Sequence, residues 1–137
     1  MLCPCHSGKD YDQCCKSFHE GKLPENALQL MRSRYSAYAL NIPDYIMGTT
    51  HPDNPQYSKD VATWKRGISE FSQTSSFEGL EILDFQEEGE MATVTFVAHL
   101  SQKHGDVTFT EKSYFKKIGN KWFYTACDLR IGPVPNS

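Results

Sequence analysis

An α+β chain, with a small amino-terminal zinc knuckle ahead of a cone of helices packed on a curved antiparallel sheet, is predicted by three features of the 137-residue sequence. Four of the five cysteines fall within the first fifteen residues. Two apolar stripes of helical period follow, between Pro24 and Phe71. Strand-like segments separated by glycine-containing turns fill the remainder. Helices first and strands second is the order of folds in which helices cover one face of an antiparallel sheet.

The cysteines come as Cys3-Pro4-Cys5, then eight residues, then Cys14-Cys15. Two thiolate pairs joined by a short polar loop can close a tetrahedron around zinc. The loop His6–Gln13 has no apolar face with which to order itself. Zinc held by sulfur contributes about 10–16 kcal/mol in small peptides, enough to order such a segment. Disulfides would need an oxidising compartment. Met1-Leu2-Cys3 shows none of the basic start, apolar stretch or cleavage site of a signal peptide, so the thiols are expected to be reduced and the chain cytoplasmic. Redox pairs are usually Cys-x-x-Cys beside a strand and a helix, a setting that Cys3-x-Cys5 lacks. Ser7-Gly8-Lys9 fails as a phosphate loop, because the first glycine is missing and Asp10 stands where Ser or Thr would bind magnesium.

A boundary is expected near Ser17–Pro24, where Gly21 and Pro24 break the pattern. This leaves a knuckle over residues 1–20 and an α+β domain over 24–132. Pro24 suits a helix opening. Leu28, Met31, Tyr35, Tyr38 and Ile42 then recur at spacings of three and four, in a helix ending before Pro43. A short helical turn over Asp44–Met47 is stopped by Gly48, and Pro52 and Pro55 keep the next segment irregular. Tyr57, Val61, Trp64, Ile68 and Phe71 mark a further helix, whose stripe calls for a sheet to cover it. Strands are expected at Leu80–Glu87, Met91–Gln102, Val107–Ile118 and Lys121–Ile131. The second alternates, with Ala92, Val94, Phe96, Ala98 and Leu100 on one face. In the first, the apolar phase switches between Leu80/Ile82 and Leu83/Phe85, which predicts a bulge.

Composition excludes some function classes. The chain is 39% hydrophobic and 12% aromatic, enough for one core beyond the knuckle, burying roughly two-thirds of its unfolded surface. No apolar run of membrane-spanning length occurs. Net charge is −3, and the basic cluster Lys116-Lys117 with Lys121 flanks a turn, so no nucleic-acid partner is expected.

Cys3-Pro4-Cys5-x-Ser7-Gly8-Lys9-x-Tyr11-x-x-Cys14-Cys15 closely resembles the SEC-C zinc motif at the carboxyl end of the SecA translocation ATPase, with His6 where glycine is usual. The resemblance implies zinc ligands at Cys3, Cys5, Cys14 and Cys15. His6 and His19 are reserve ligands, since four cysteines already close the site. The element order after the knuckle resembles the nuclear transport factor 2-like (cystatin-like) fold. The combination resembles the bacterial YchJ family over nearly the whole chain, through Met31-Arg32-Ser33-Arg34-Tyr35-Ser36-Ala37-Tyr38, Thr49-x-His51-Pro52, Glu111-x-Ser113-x-Phe115 and Trp122-x-Tyr124. Three departures stand out. Pro133–Ser137 lacks the second knuckle of some relatives, Thr110 replaces a histidine often found before the glutamate, and Ala126-Cys127 replaces the usual Asp-Gly.

Strand alternation places Glu111 and Ser113 on the face of Val107, Phe109 and Phe115, so Glu111 is a carboxylate among apolar neighbours. Such a group needs a partner. Arg34, at the edge of the first helix's stripe, is the expected one, with Arg32 second. A structural ion pair is the simpler role; alternatively Arg34, Tyr38, His51 and Glu111 line a binding site in the cone. Trp64 and Cys127 are expected in the core, Trp122 in the core or lining the cone, and His99 and His104 facing solvent. No catalytic triad is recognisable. The reading prefers a non-enzymatic interaction protein whose knuckle docks a protein partner, as the SecA tail does with the SecB chaperone. The alternative is a small-molecule binder or enzyme using the cone. A deep cavity would favour the alternative; a cone plugged by aromatic side chains would favour docking. Pairing of two sheets into a homodimer is a further expectation.

Overall fold

The computed structural model describes residues 1–133. Residues 134–137, part of the stretch where some relatives carry a second knuckle, lie outside the described residues. After a 3-10 turn at Tyr11–Gln13, the chain forms α1 (Lys16–His19), α2 (Ala27–Ala39), α3 (Pro43–Gly48) and α4 (Val61–Thr74). The strands are β1 (Ser75–Glu88), β2 (Met91–Gln102), β3 (Gly105–Asp106), β4 (Phe109–Ile118) and β5 (Lys121–Ile131). The antiparallel sheet runs β1-β2-β4-β5, with β3 paired to the end of β2. No helix is long and apolar enough to cross a membrane.

Local chemistry sets the helix ends. Asn26 caps α2 by accepting the Gln29 amide at 2.9 Å, so the helix opens three residues after Pro24. It stops in a Schellman motif: Asn41 takes φ 58° while the Ile42 and Asn41 amides return to the Ala37 and Tyr38 carbonyls. Pro43 then opens α3 rather than merely ending α2. The second stripe was expected from Tyr57, but Asp60 caps α4, accepting from the Thr63 amide and hydroxyl. Tyr57 lies outside the helix and packs on the Trp64 ring at 5.1 Å, leaving Trp64 only half-buried.

Two clusters of buried side chains share α2. Its Leu30, Met31 and Tyr35 pack on the inner sheet face with Ala92, Val94, Phe96, Ala98 and Leu100, the face that alternation identified. Its Ala37 joins Ile46 of α3 and Ile68 of α4 in the second. The α4 stripe is therefore covered largely by helices, and Phe71 alone of its residues reaches the sheet-side cluster.

The sheet curves through irregularities. β1 bulges between Phe77 and Gly79 and again between Ile82 and Asp84, so Leu83 absorbs the phase switch and lies 47% exposed. In β5 the register shifts beside Tyr124, leaving Thr125 extra. That shift turns Cys127 to the face of Tyr124, beyond the packed core, where it is exposed rather than buried as expected. The third strand is interrupted as well. The Asp106 carboxylate takes the Thr108 amide at 2.7 Å, and Val107 turns outward instead of sharing the face of Glu111.

If Leu83 is the bulge residue, Leu83→Ser should change stability by no more than about 0.5 kcal/mol. Ile82→Ala, which removes a side chain packed on the core, should cost about 2 kcal/mol. Urea denaturation of both variants checks this. Equal losses would place Leu83 in the core and remove the bulge.

Candidate functional site

The knuckle is built by backbone before any metal is considered. The Cys3 amide reaches the Lys9 carbonyl at 2.9 Å, Tyr11 returns to Met1 at 2.8 Å, and the terminal ammonium meets Asp10 at 2.9 Å. This folds Met1–Asp10 back on itself and turns Cys3, Cys5 and Cys15 inward, where all three are buried. The four sulfurs of Cys3, Cys5, Cys14 and Cys15 lie within 4.8 Å of one another. Cys14 stands 3.6 Å from Cys5 and 3.9 Å from Cys15. A tetrahedral ion with sulfur ligands at about 2.3 Å sets sulfur–sulfur edges of about 3.8 Å, so the donor set fits a metal. Protonation follows the same crowding. Hydrogen bonding, chiefly from Cys15, pulls the Cys5 thiol down to about 4, while that contact pushes Cys15 up and burial pushes Cys3 up to about 11. The raised Cys3 and Cys15 thiols would ionise more readily beside a bound cation.

Neither reserve histidine belongs to this set. His6 has φ 60°, the left-handed conformation that explains why glycine is usual there. Its ring instead docks the knuckle, with Nε2 3.2 Å from the Phe77 carbonyl and its edge on Tyr35. His19 donates from Nε2 to the Ser33 carbonyl at 2.8 Å, so its Nδ1 accepts from the Tyr11 hydroxyl at 2.7 Å. Arg32, considered above as a partner for Glu111, donates to the Cys5 carbonyl at 3.0 Å. The knuckle is thus tied to α2 and β1 by hydrogen bonds as well as by chain connectivity.

Between α2, α4 and the inner sheet face lies a cavity of about 580 Å³, lined by Arg34, Tyr38 and Glu111 together with Tyr35, Trp64, Phe71, Phe77, Phe96, Phe109, Ser113 and Tyr124 among others. The cone is hollow rather than plugged. Glu111 accepts at Oε2 from Ser113 and, at 3.1 Å, from the Tyr124 hydroxyl. Arg34 does not pair with it. Its Nη1 donates to the Ile46 carbonyl, Thr49 Oγ1 and Thr50 Oγ1 at 3.1, 2.7 and 3.1 Å, and the guanidinium lies over the Tyr124 ring at 4.5 Å. Arg34 thereby joins the Thr49 and Thr50 hydroxyls on the Ile46 carbonyl at the end of α3. The expected ion pair is therefore replaced by a bridge from Arg34 through the Tyr124 ring and hydroxyl to Glu111.

His51 is absent from the cavity. Thr50 forms a parallel bridge to Tyr124, and the next residue therefore points to the other side of β5. There the His51 ring packs on Phe123 and Nδ1 accepts the Asp53 amide at 3.0 Å. Thr110 also faces away, donating to the Gly132 carbonyl at 2.9 Å. Tyr124 was quoted in a motif but not counted among the site residues. Alternation from Trp122 would have placed it on the inner face.

Burial pushes the Glu111 carboxyl up from its ordinary value, against the hydrogen bonds from Ser113 and Tyr124 and the more distant Arg34 charge. This reverses the depressed value that an Arg34 pair would give. The folded chain then binds more protons than the unfolded one between the two values. The stability contributed by Glu111 is fully present below about 4.5 and lost as pH rises through the folded value. Glu111→Gln should accordingly equal or exceed the wild type in stability near pH 8, and show a weaker decline from about pH 5 upward. Denaturation curves at several pH values check this. A loss of about 3 kcal/mol at neutral pH would instead restore a buried ion pair.

Known proteins resemble this chain in sequence and fold. The family model described as "YchJ, middle NTF2-like domain" matches residues 26–127. A UPF0225 protein of Haemophilus influenzae is 39% identical over 125 residues, which is 89% of this chain and 74% of that protein. The solution structure of a SEC-C motif containing protein from Rhodopseudomonas palustris superposes with a TM-score of 0.79 at 31% identity, covering 93% of this chain and 98% of that one. A SEC-C motif containing protein from Psychrobacter arcticus gives 0.76 at 25% identity, over 98% and 84%. A ketosteroid isomerase-like protein from Erwinia carotovora atroseptica, with a TM-score of 0.57 at 13% identity over 76% of this chain and 92% of its own, shares the fold alone. With its cysteine knuckle, its nuclear transport factor 2-like cone and a relative this similar over most of its length, the chain belongs to the YchJ family, also designated UPF0225.

Proposed function

We propose that this protein binds a small apolar molecule in its cone, and that the knuckle holds a structural zinc which fixes the wall of that cone. The cavity carries the reading. About 580 Å³ of space bounded mainly by aromatic and aliphatic side chains, with a few convergent polar groups, is what small-molecule sites are made of. The preference for protein docking, drawn from the closed four-cysteine set and its resemblance to the SecA tail, therefore becomes the second reading. It is favoured by the 70% and 71% exposure of Met1 and Leu2 on the outside of the knuckle. Zinc suits four sulfur donors. Held by Cys3, Cys5, Cys14 and Cys15, it would have a complete set of ligands, and it would supply folding energy rather than an open coordination position. Reduced thiols at these positions fit a cytoplasmic setting.

Gly67 provides a direct test. It lines the cavity from within α4, and a Cβ built there meets nothing within 4 Å. Glycine inside a helix costs about 1 kcal/mol relative to alanine, so Gly67→Leu should fold at least as well while filling space. Fluorescence titration with 1-pyrenemethanol, a neutral apolar probe, should show saturable binding to the wild type that Gly67→Leu weakens at least tenfold. Equal binding by both would count against the cone as the site.

The metal assignment is checked separately. Elemental analysis of protein produced with zinc in the medium should give one zinc per chain, and Cys14→Ser should release it. Retention of zinc by Cys14→Ser would contradict the ligand set.

A further inference from the structure

Two residues lining the cavity carry a guanidinium and a carboxyl group, Arg34 and Glu111. Arg34 is 6% exposed, yet no carboxylate lies within salt-bridge distance of it among the described residues. Its hydrogen bonds to protein all leave from Nη1 and end on a carbonyl and two hydroxyls, which are neutral. A guanidinium has five N–H groups, so those on Nε and Nη2 keep no protein acceptor among the described residues. Arg34 lines the cavity, so its remaining N–H groups are open to an acceptor placed there, and an anion is the strongest acceptor a guanidinium can meet.

The neighbouring groups are donors too. Both protein hydrogen bonds to Glu111 end on Oε2, so a proton held by this carboxyl sits on Oε1, the oxygen left without a protein partner. Burial favours that protonated form. The Tyr38 hydroxyl has no hydrogen bond to protein among the described residues, and burial keeps it a phenol. In its protonated form Glu111 leaves Arg34 as the one charge among the residues lining the cavity, and the site then presents donors in excess of acceptors. An amine would find repulsion. A phosphate dianion would leave one charge unmatched, whereas a monoanion balances the site. The walls specify the remainder of the ligand. Phe71 stands edge-on to both Tyr38 and Phe77, at 5.6 and 6.0 Å between ring centroids, a lining suited to a flat apolar body.

We propose that the cone selects an aromatic or fused-ring monocarboxylate, its carboxylate received by Arg34, Tyr38 and Glu111. This rests on the cone being a binding site and names the class of molecule it takes. The carboxylate accepts from the free N–H groups of Arg34, from the Tyr38 hydroxyl and from the Glu111 carboxyl, while the ring system packs against Phe71 and Phe77.

Fluorescence titration of the full-length zinc-loaded protein with 1-pyrenebutyrate, 1-pyrenebutanol and 1-pyrenebutylamine at neutral pH tests this. The three probes share one ring system and differ in the head group. The butyrate should bind at least tenfold more tightly than the alcohol, and the amine more weakly than either. Arg34→Met should abolish the preference for butyrate over alcohol, and Tyr38→Phe should reduce it severalfold. Alcohol and butyrate binding equally to the wild type would overturn the proposal while leaving the cone a binding site. Absence of binding by all three would overturn both. The wild-type ratio and Tyr38→Phe decide the matter even if Arg34→Met fails to fold, and a ratio of head-group affinities is not moved by a purely structural role.

Discussion

One turn of α2 holds the molecule together. Arg32, Ser33, Arg34 and Tyr35 are consecutive, and on a helix they point in four directions. Arg32 donates to the Cys5 carbonyl inside the knuckle. The Ser33 carbonyl receives His19, while its hydroxyl meets Tyr45 of α3 at 2.6 Å. Arg34 closes the end of α3 and lies on Tyr124 of β5. Tyr35 donates to Gly79 at the first β1 bulge, at 3.0 Å. The knuckle, α3, β5 and β1 all depend on this turn, so its residues can be exchanged only together with what they bind.

The same constraint keeps the cone hollow. Arg34 is drawn toward the carbonyls that end α3, and Tyr124 follows it through ring stacking. Both side chains thereby line the cavity rather than fill it. Gly67 leaves the opposite wall without a side chain. His6 and Tyr35 connect this wall to the metal site, because the His6 ring packs on Tyr35 and reaches the backbone of Phe77, and both Tyr35 and Phe77 line the cavity. A metal that ordered the knuckle would thereby also order part of the cavity wall.

Much of this was legible in the sequence, for physical reasons that differ by element. β2 and β5 have the bounds that alternation assigned, because one face of each packs on the core and the turns at Gly89 and Gly119 mark their ends. The β1 bulge was legible because a phase change in apolar residues has few other causes. The grouping of the four cysteines followed from their spacing. The Arg34 partner was not legible. Helix phase fixes the direction of a side chain but not which of several acceptors it meets, and the end of α3 offers a carbonyl and two threonine hydroxyls that outcompete a carboxylate held by Ser113 and Tyr124. His51 was misplaced because its neighbour Thr50 pairs with β5 through a single isolated bridge, too short for any periodic signal. Cys127 was misplaced because, although the extra residue at Thr125 turns it to the face of Tyr124, it lies on the stretch of β5 beyond the packed core, where the strand is exposed.

Amide hydrogen exchange with and without metal tests the clamp at α2 most directly. If the knuckle is part of one cooperative structure with the cone, stripping metal from the four cysteines with a chelator should raise exchange in the first twenty residues, in the α2 turn from Arg32 to Tyr35 and in β1 around Phe77 and Gly79, while β4 remains protected. Exchange that rises in the knuckle alone, with α2 and β1 unchanged, would contradict the account and make the knuckle an independent appendage.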